Sequence, residues 1–313
     1  MGARKITVGD LLLTLPTRLG KFSDTPALDE QVLLAHVLGK PRAWVLAHPE
    51  ATLTPKQECA LEEALLQLES GVPLPYVLGK WEFFGLEFEV TPEVLIPRPE
   101  TELLVERAVS WLRQRLAMNR QARDVKSAAC PGRQAREADL GRLRAVDVGA
   151  GSGCIAIALA VNVAGLQIIA TDISQAAIKV AERNAVKFGV SERVEFFCCD
   201  LFPSEKTFNV QPSTFNLIVA NLPYIPTETL HGLRVYGREP TVALDGGADG
   251  LDVIRRLLAE APRRLSPGGL ILLEIEASQG AKVLSLAHDA FTEAKINLHQ
   301  DLAGRDRLIE IAL

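Results

Sequence analysis

The chain has 313 residues, 48% of them apolar and 23% charged, and carries a formal net charge of −5. That length suits two domains, one of them large, with apolar material enough for a sizeable core. The acidic balance argues against a general nucleic-acid coat, and no run approaches the ~18 apolar residues of a membrane helix, so neither a stable nucleic-acid partner nor a membrane is expected.

The first six residues, Met1 to Ile6, hold no signal-peptide apolar region, and Ile6 stands where a myristoylation signal needs Ser or Thr; a cytoplasmic protein is expected. Residues 1–72 read as a helical domain. Leu28, Val32, Leu33, Val37 and Leu38 recur at helical spacing ahead of Gly39. Thr54, Pro55 and Gln57 spell a capping box with proline at the first helical position, and Leu61, Leu65 and Leu68 line the helix behind it. Nothing in this bundle carries chemistry, which leaves substrate docking as its expected role. Residues 73–95 read as a β-hairpin linker, because Trp81 to Val90 alternates apolar with acidic residues around Gly85. Pro97 and Pro99 then fix an extended turn before a helix bearing Leu103, Leu104, Trp111 and Leu112. From 117 to 143 the apolar pattern fails, while Arg120, Arg123, Lys126, Arg133, Arg136 and Arg142 accumulate around Pro131-Gly132; a flexible, solvated insertion is expected.

Beyond 144, strands and helices alternate. Strands are expected near 144–148, 167–171, 193–198, 216–220, 269–275, 294–299 and 307–312, and helices near 153–162, 174–188, 250–264 and 278–290. That alternation predicts an α/β fold with a mostly parallel sheet and helices on both faces. The cysteines (Cys59, Cys130, Cys154, Cys198, Cys199) have no metal-ligand spacing, so reduced thiols and no metal are expected.

The run Arg144 to Val148 is the first strand of this alternation, and Gly149-Ala150-Gly151-Ser152-Gly153 is its exit turn. Glycines let backbone approach a ligand closely. The spacing is G-x-G-x-G, with Cys154 where a dinucleotide fingerprint wants its third glycine, and Asp147 precedes the turn. Both features weaken the case for a pyrophosphate at the helix N-terminus and fit a cationic cofactor without phosphate, of which S-adenosylmethionine is an example. Asp172 ends the second strand and is placed to accept ribose hydroxyls. Asp200 ends the third and is a candidate acceptor for an adenine amino group, with Leu201 and Phe202 packed near the ring.

After the apolar run Phe215 to Ala220 comes Asn221-Leu222-Pro223-Tyr224, at the strand edge where open α/β sheets hold ligands. An Asn amide has an acceptor and donors and so grips a planar –NH2 group, against whose face a Tyr ring can lie. The tetrad points to chemistry on a planar nitrogen, either an amide or a nucleobase amine.

With these residues in hand, the chain resembles the class I methyltransferases and, more closely, the release-factor glutamine methyltransferases (the PrmC/HemK family). The likeness also runs through Pro75 to Gly79, Glu82 to Leu86, Ile96 to Glu102, Glu239-Pro240, Gly246 to Asp252 and Asp301 to Arg307. It implies a Rossmann-like seven-stranded methyltransferase sheet, mostly parallel with the last strand antiparallel, spanning 96–313 and preceded by a small all-α N-terminal domain. It implies methylation of the side-chain nitrogen (N5) of the glutamine in the Gly-Gly-Gln loop of peptide chain release factors, with S-adenosylmethionine as cofactor. By matched position, Gly149 to Gly153, Asp172, Leu201 and Asn221 would hold the cofactor, and Asn221, Leu222, Pro223 and Tyr224 would hold the glutamine and carry catalysis. The sequence departs from the family pattern in three places: Leu222 replaces the first proline of Asn-Pro-Pro-Tyr, Glu276 replaces a glycine, and the 117–143 insertion is longer. Two other readings share the planar-nitrogen problem or the cofactor turn: an adenine N6-methyltransferase acting on RNA or DNA, and a non-catalytic module that binds the methyl donor.

Overall fold

A computed structural model describes residues 6–129, 143–204 and 214–313. The chain divides into two compact units, Met1–Lys80 and Trp81–Leu313. No helix among the described residues is long and apolar enough to cross a membrane.

The first unit is helical: α1 (Val8–Leu19), α2 (Pro26–Leu38), α3 (Arg42–Ala47), α4 (Pro55–Glu69) and α5 (Leu74–Leu78). The capping box at α4 forms as its sequence predicts. The Gln57 N–H donates to Thr54 Oγ1, and the Thr54 N–H donates back to Gln57 Oε1 at 2.9 Å. A second box, between Thr7 and Asp10, starts α1. Leu61, Leu65 and Leu68 are buried as expected, but the inward face of α2 runs through Glu30, Leu33 and Leu34 and leaves Leu28 exposed.

The second unit opens with a hairpin, β1 (Lys80–Phe83) and β2 (Leu86–Glu89). Its two turn residues, Phe84 and Gly85, both have positive φ (54° and 71°), the handedness that a two-residue hairpin turn requires. The N–H of Phe84 donates to Glu102 Oε1 at 2.8 Å, which holds a non-glycine residue in that conformation. Behind it, α6 (Glu102–Ala129) buries Leu104, Val105, Ala108 and Leu112. This helix outruns the expectation that order fails at 117. The Arg, Gln, Ala and Lys residues of 117–129 are strong helix formers, and helix persists on propensity where the apolar stripe has ended. The rest of the expected insertion, 130–142, lies outside the described residues.

From there the chain alternates: β3 (Arg144–Val148), α7 (Cys154–Asn162), β4 (Gln167–Asp172), α8 (Gln175–Lys187), β5 (Val194–Cys198), β6 (Phe215–Ala220), α9 (Thr227–Leu230), α10 (Asp252–Arg264), β7 (Leu265–Glu274), α11 (Gly280–Ala290), β8 (Lys295–Gln300) and β9 (Asp306–Ala312). The seven strands from β3 onward form one sheet in the order β5-β4-β3-β6-β7-β9-β8, with β9 antiparallel to both of its neighbours. Alternate residues of each strand face opposite cores. Ala145, Ile168, Leu217 and Leu270 pack toward α6 and α7, whereas Val146, Ile169, Ile218 and Ile271 pack toward α10 and α11. A strand buried on both sides must be apolar throughout, which is why these segments read as continuous apolar runs. The chain leaves β3 toward β4 on one side and later returns to β6 on the other. That switch point opens a crevice at the carboxyl ends of β3 and β6.

Candidate active site

Strand register decides which residues meet in the crevice. Val148 pairs with Thr171 on β4 and with Ala220 on β6, so the residues that follow each of them, Gly149, Asp172 and Asn221, stand in one row. Around this row lies a cavity of about 500 Å³. Of the residues expected to hold a cofactor or substrate, Gly149, Gly151, Asp172, Asp200, Leu201, Asn221, Leu222 and Pro223 line it, and Ala150, Ser152, Gly153 and Tyr224 do not.

The glycine turn is held from below. The N–H groups of Gly149 and Ala150 both donate to the Thr171 carbonyl at 2.8 Å, and that of Gly153 donates to the Ala150 carbonyl. The Gly151 N–H donates to Asp172 Oδ2 at 2.8 Å, and the Ala156 N–H at the start of α7 donates to Asp147 Oδ2 at 2.9 Å. Two of the glycines are required by space as well as by their positive φ. A Cβ on Gly149 would stand 3.2 Å from Leu222 Cδ2, and one on Gly153 would stand 3.0 Å from Ile157 Cδ1. With these N–H groups committed inside the protein and two carboxylates at hand, the turn is a poor phosphate cradle. It suits a neutral or cationic ligand.

Both carboxylates are pushed toward their neutral forms. Asp147 is fully buried, and desolvation raises its carboxyl to about 7. Burial also raises Asp172, against the stabilising N–H groups of Ser174 and Gly151. Asp200 differs. It lies at the exposed rim, with its carboxylate paired to the guanidinium of Arg256, a cavity residue that the sequence reading did not single out. Leu201 takes a left-handed conformation (φ 58°), and its carbonyl accepts from the buried Thr171 hydroxyl at 2.6 Å.

Asn221 follows β6 and points one end of its amide at the turn that precedes α6: Nδ2 donates to Thr101 Oγ1 at 3.0 Å. The other end, Oδ1, is an acceptor. Tyr224 is not among the residues that line the cavity. Its hydroxyl, kept protonated by burial, faces Glu274, and its carbonyl accepts from Gln279 Nε2 at 2.8 Å. Gly250 fits under that contact because a Cβ there would lie 2.3 Å from the Tyr224 carbonyl oxygen. Glu276 has an ordinary extended backbone (φ −74°) and caps the turn Ala277–Gln279, so the absence of a glycine at this position costs nothing. Beside the tetrad, the buried Glu239 carboxylate accepts from the Ile96 N–H at 3.1 Å and from Arg98 Nη2 at 2.6 Å. It ties the segment before α6 to the 240–243 wall of the cavity.

Thr101, Gln279 and Arg256 escaped the sequence reading, because each acts through a partner far along the chain. Glu274 had a signal: like Asp172, it is a carboxylate that closes an apolar strand.

Comparison with known proteins gives this geometry its relatives. Residues 12–79 match a family described as the PrmC N-terminal domain, and residues 141–300 match one described as a methyltransferase domain. A release factor glutamine methyltransferase of Coxiella burnetii is 35% identical over 97% of this chain and 98% of its own length. Those of Bordetella pertussis and Moorella thermoacetica are 36% and 37% identical, covering 90% and 91% of this chain and 93% and 90% of theirs. Among solved structures, the hMettl16 catalytic domain bound to a 3'UTR hairpin shares the fold, with a TM-score of 0.51 at 11% identity over 82% of this chain and 79% of that one. The chain belongs to the release factor glutamine methyltransferase family.

Proposed function

We propose that this protein methylates the side-chain amide nitrogen (N5) of the glutamine in the Gly-Gly-Gln loop of peptide chain release factors, in the cytoplasm, with S-adenosylmethionine as methyl donor. The observation that carries the reading is the amide of Asn221, whose nitrogen is committed to Thr101 and whose oxygen is therefore the end left to accept a substrate N–H.

The residues present suit the cofactor. Gly149, Gly151, Asp172, Leu201 and Asn221 would hold it, with Asp172 accepting ribose hydroxyls and Leu201 backing the base; Asp200 would meet the base from the rim while keeping Arg256. Acidic groups and a turn in which the N–H groups of Gly149, Ala150, Gly151 and Gly153 are already engaged favour a cationic molecule over a phosphate. Bound there, S-adenosylmethionine supplies an electrophilic methyl group on a positively charged sulfur.

The protein's own part is to make an amide nitrogen nucleophilic. That nitrogen is a poor nucleophile because its lone pair is delocalised into the carbonyl. Asn221 Oδ1 accepts one of its N–H groups and the Leu222 carbonyl accepts the other. Two acceptors off the amide plane favour a pyramidal nitrogen with a localised lone pair. Pro223 fixes the turn that carries both. Holding the reactants in line supplies up to ~7–11 kcal/mol of barrier reduction, and preorganised polar groups add to it. Attack by the amide nitrogen leaves it N-alkylated and still carrying both of its protons, a cation acidic enough to lose one of them to water, so no strong base is needed at the tetrad. The helical unit of residues 1–80 is assigned the docking of the protein substrate.

The test is to incubate the protein with a release factor and isotopically labelled methyl donor, locate the modification by peptide mass spectrometry, and run an RNA arm beside it. Label on the glutamine supports the reading. Label on adenine with none on the release factor replaces it with the nucleic-acid reading, and donor binding without turnover on either leaves a binding module.

A further inference from the structure

An Asn side chain has nearly the same shape when its amide is turned over, but its hydrogen bonding is inverted. Turned over, Asn221 would offer an N–H to the N–H of a substrate amide. Thr101 alone does not decide between the two orientations, since its hydroxyl both donates and accepts. The choice is fixed only if another acceptor engages the Thr101 O–H.

Such an acceptor lies on the neighbouring strand. Ala220 of β6 pairs with Leu273 of β7, so Asn221 and Glu274 follow one another's rung at the carboxyl edge of the sheet. Glu274 is 1% exposed and Thr101 2%. Neither carboxylate oxygen of Glu274 has a closed hydrogen bond, which leaves an acceptor in need of donors, and the hydroxyls that face it are those of Thr101 and Tyr224.

We propose that Glu274 is a positioning residue: its carboxylate accepts a hydrogen bond from the Thr101 hydroxyl, leaves only lone pairs on Thr101 Oγ1 for Asn221 Nδ2, and so keeps Asn221 Oδ1 directed at the substrate amide. The inference rests on Asn221 acting as that acceptor. The same carboxylate accepts a hydrogen bond from the Tyr224 hydroxyl and steadies the far end of the tetrad.

The role needs an ionised carboxylate. A protonated Glu274 is itself a donor to Thr101, and the orientation of Asn221 is then no longer fixed. The groups around it set where that happens. Burial raises the carboxyl to about 7, while the Thr101 hydroxyl, the Arg307 charge from β9 and the Tyr224 hydroxyl favour the anion and Glu100 opposes it. Arg307 itself binds Asp301 and so acts on Glu274 only at a distance. The Cys154 thiol, also within electrostatic reach, stays neutral because burial pushes it up to about 12. Turnover therefore fails as pH falls through about 7.

The test uses the full chain with a release factor and saturating methyl donor. Glu274→Gln has the same shape but offers Thr101 an N–H. It is expected to lower kcat roughly 10–100-fold, the range for a group that orients a ligand through another, with methyl-donor Kd within about threefold of wild type. The low-pH limb of the wild-type rate is expected to vanish in this variant. Thr101→Val should lose a similar factor and Thr101→Ser restore it, and the double variant Glu274→Gln/Thr101→Val should be no worse than either single one, because both break the same chain. Wild-type kcat with an unchanged low-pH limb in Glu274→Gln, or additive losses in the double variant, overturns the proposal. Asn221→Ala separates the two levels. If it cuts turnover while Glu274→Gln does not, the positioning role alone fails; if it turns over normally, the assignment of Asn221 fails and takes this role with it.

Discussion

Replacing Asp147 by asparagine removes a charge that the fold holds at a cost. Asp147 has no exposure, and desolvation moves its carboxyl from an ordinary 3.8 to about 7. A carboxyl raised on folding means that the folded state favours the neutral form. Its contribution is intact below about pH 4 and is lost progressively as pH rises to about 7. The full shift corresponds to about 4 kcal/mol at 1.36 kcal/mol per unit. Between about pH 5.5 and about pH 8, where the protein is convenient to handle, the change is about 2 kcal/mol. Asparagine is neutral throughout, and its carbonyl oxygen retains the acceptor that caps α7 through the Ala156 N–H. Urea unfolding of wild type and Asp147→Asn in the absence of methyl donor should therefore give a variant that gains on wild type as pH rises. The gap should widen by about 2 kcal/mol over that range and level off above about pH 7. A gap independent of pH, or a variant less stable than wild type at high pH, would show that the carboxylate is solvated or compensated, and the electrostatic account of this turn would fall. Methyl-donor affinity should move the opposite way, because the variant loses a negative charge beside a cationic ligand.

Three further outcomes follow from the same geometry. Asn221→Ala should cut kcat by about 10²–10³ with methyl donor saturating, measured as methylated peptide per unit time. Gly250→Ala forces a Cβ to within 2.3 Å of the Tyr224 carbonyl oxygen in a left-handed backbone, and should destabilise by about 2–3 kcal/mol in urea unfolding while loosening the Gln279 contact. Glu239→Ala strips the Ile96 N–H and the Arg98 guanidinium of their shared acceptor and should destabilise by about 3 kcal/mol, with an accompanying loss of substrate affinity as the 93–95 and 240–243 walls separate.

What the sequence revealed and what it concealed divide along a physical line. The central strands were legible because burial on both faces demands a nearly unbroken apolar run, as in Phe215 to Ala220 and Leu270 to Leu273. Asp172 and Asn221 were legible because a polar residue closing such a run lands at the carboxyl edge by construction. The α4 capping box was legible because its two halves are three residues apart. The pairs were not. Arg98 meets Glu239 across 141 positions, Asn221 meets Thr101 across 120, and Gln279 meets the Tyr224 carbonyl across 55. No local pattern encodes such a meeting. The partners of Tyr224 were hidden for the same reason, since its hydroxyl faces Glu274 and its carbonyl meets Gln279, both far along the chain.

The distribution of buried polar side chains carries the argument one step further. Among the described residues of the second unit, those almost without exposure are Thr101, Asp147, Ser152, Thr171, Asn184, Glu239, Glu274 and Gln279. Asp147, Thr171 and Glu274 lie at or beside the carboxyl ends of β3, β4 and β7, Thr101, Asn184 and Gln279 bond to the segments that leave the strand ends, and Glu239 ties the segment before α6 to the cavity wall. A core selected for stability alone would fill these places with apolar groups, since burying a carboxyl is costly. Instead the sheet is apolar through its middle and polar at one edge only, and desolvation opposes ionisation of Asp147, Asp172 and Glu274 all along that edge. Perturbed groups gathered along one sheet edge mark a place where the fold gives up stability for orientation and charge. Neutralising these carboxyls one at a time should therefore raise stability and lower turnover together, a pairing that a purely structural role for them would not produce.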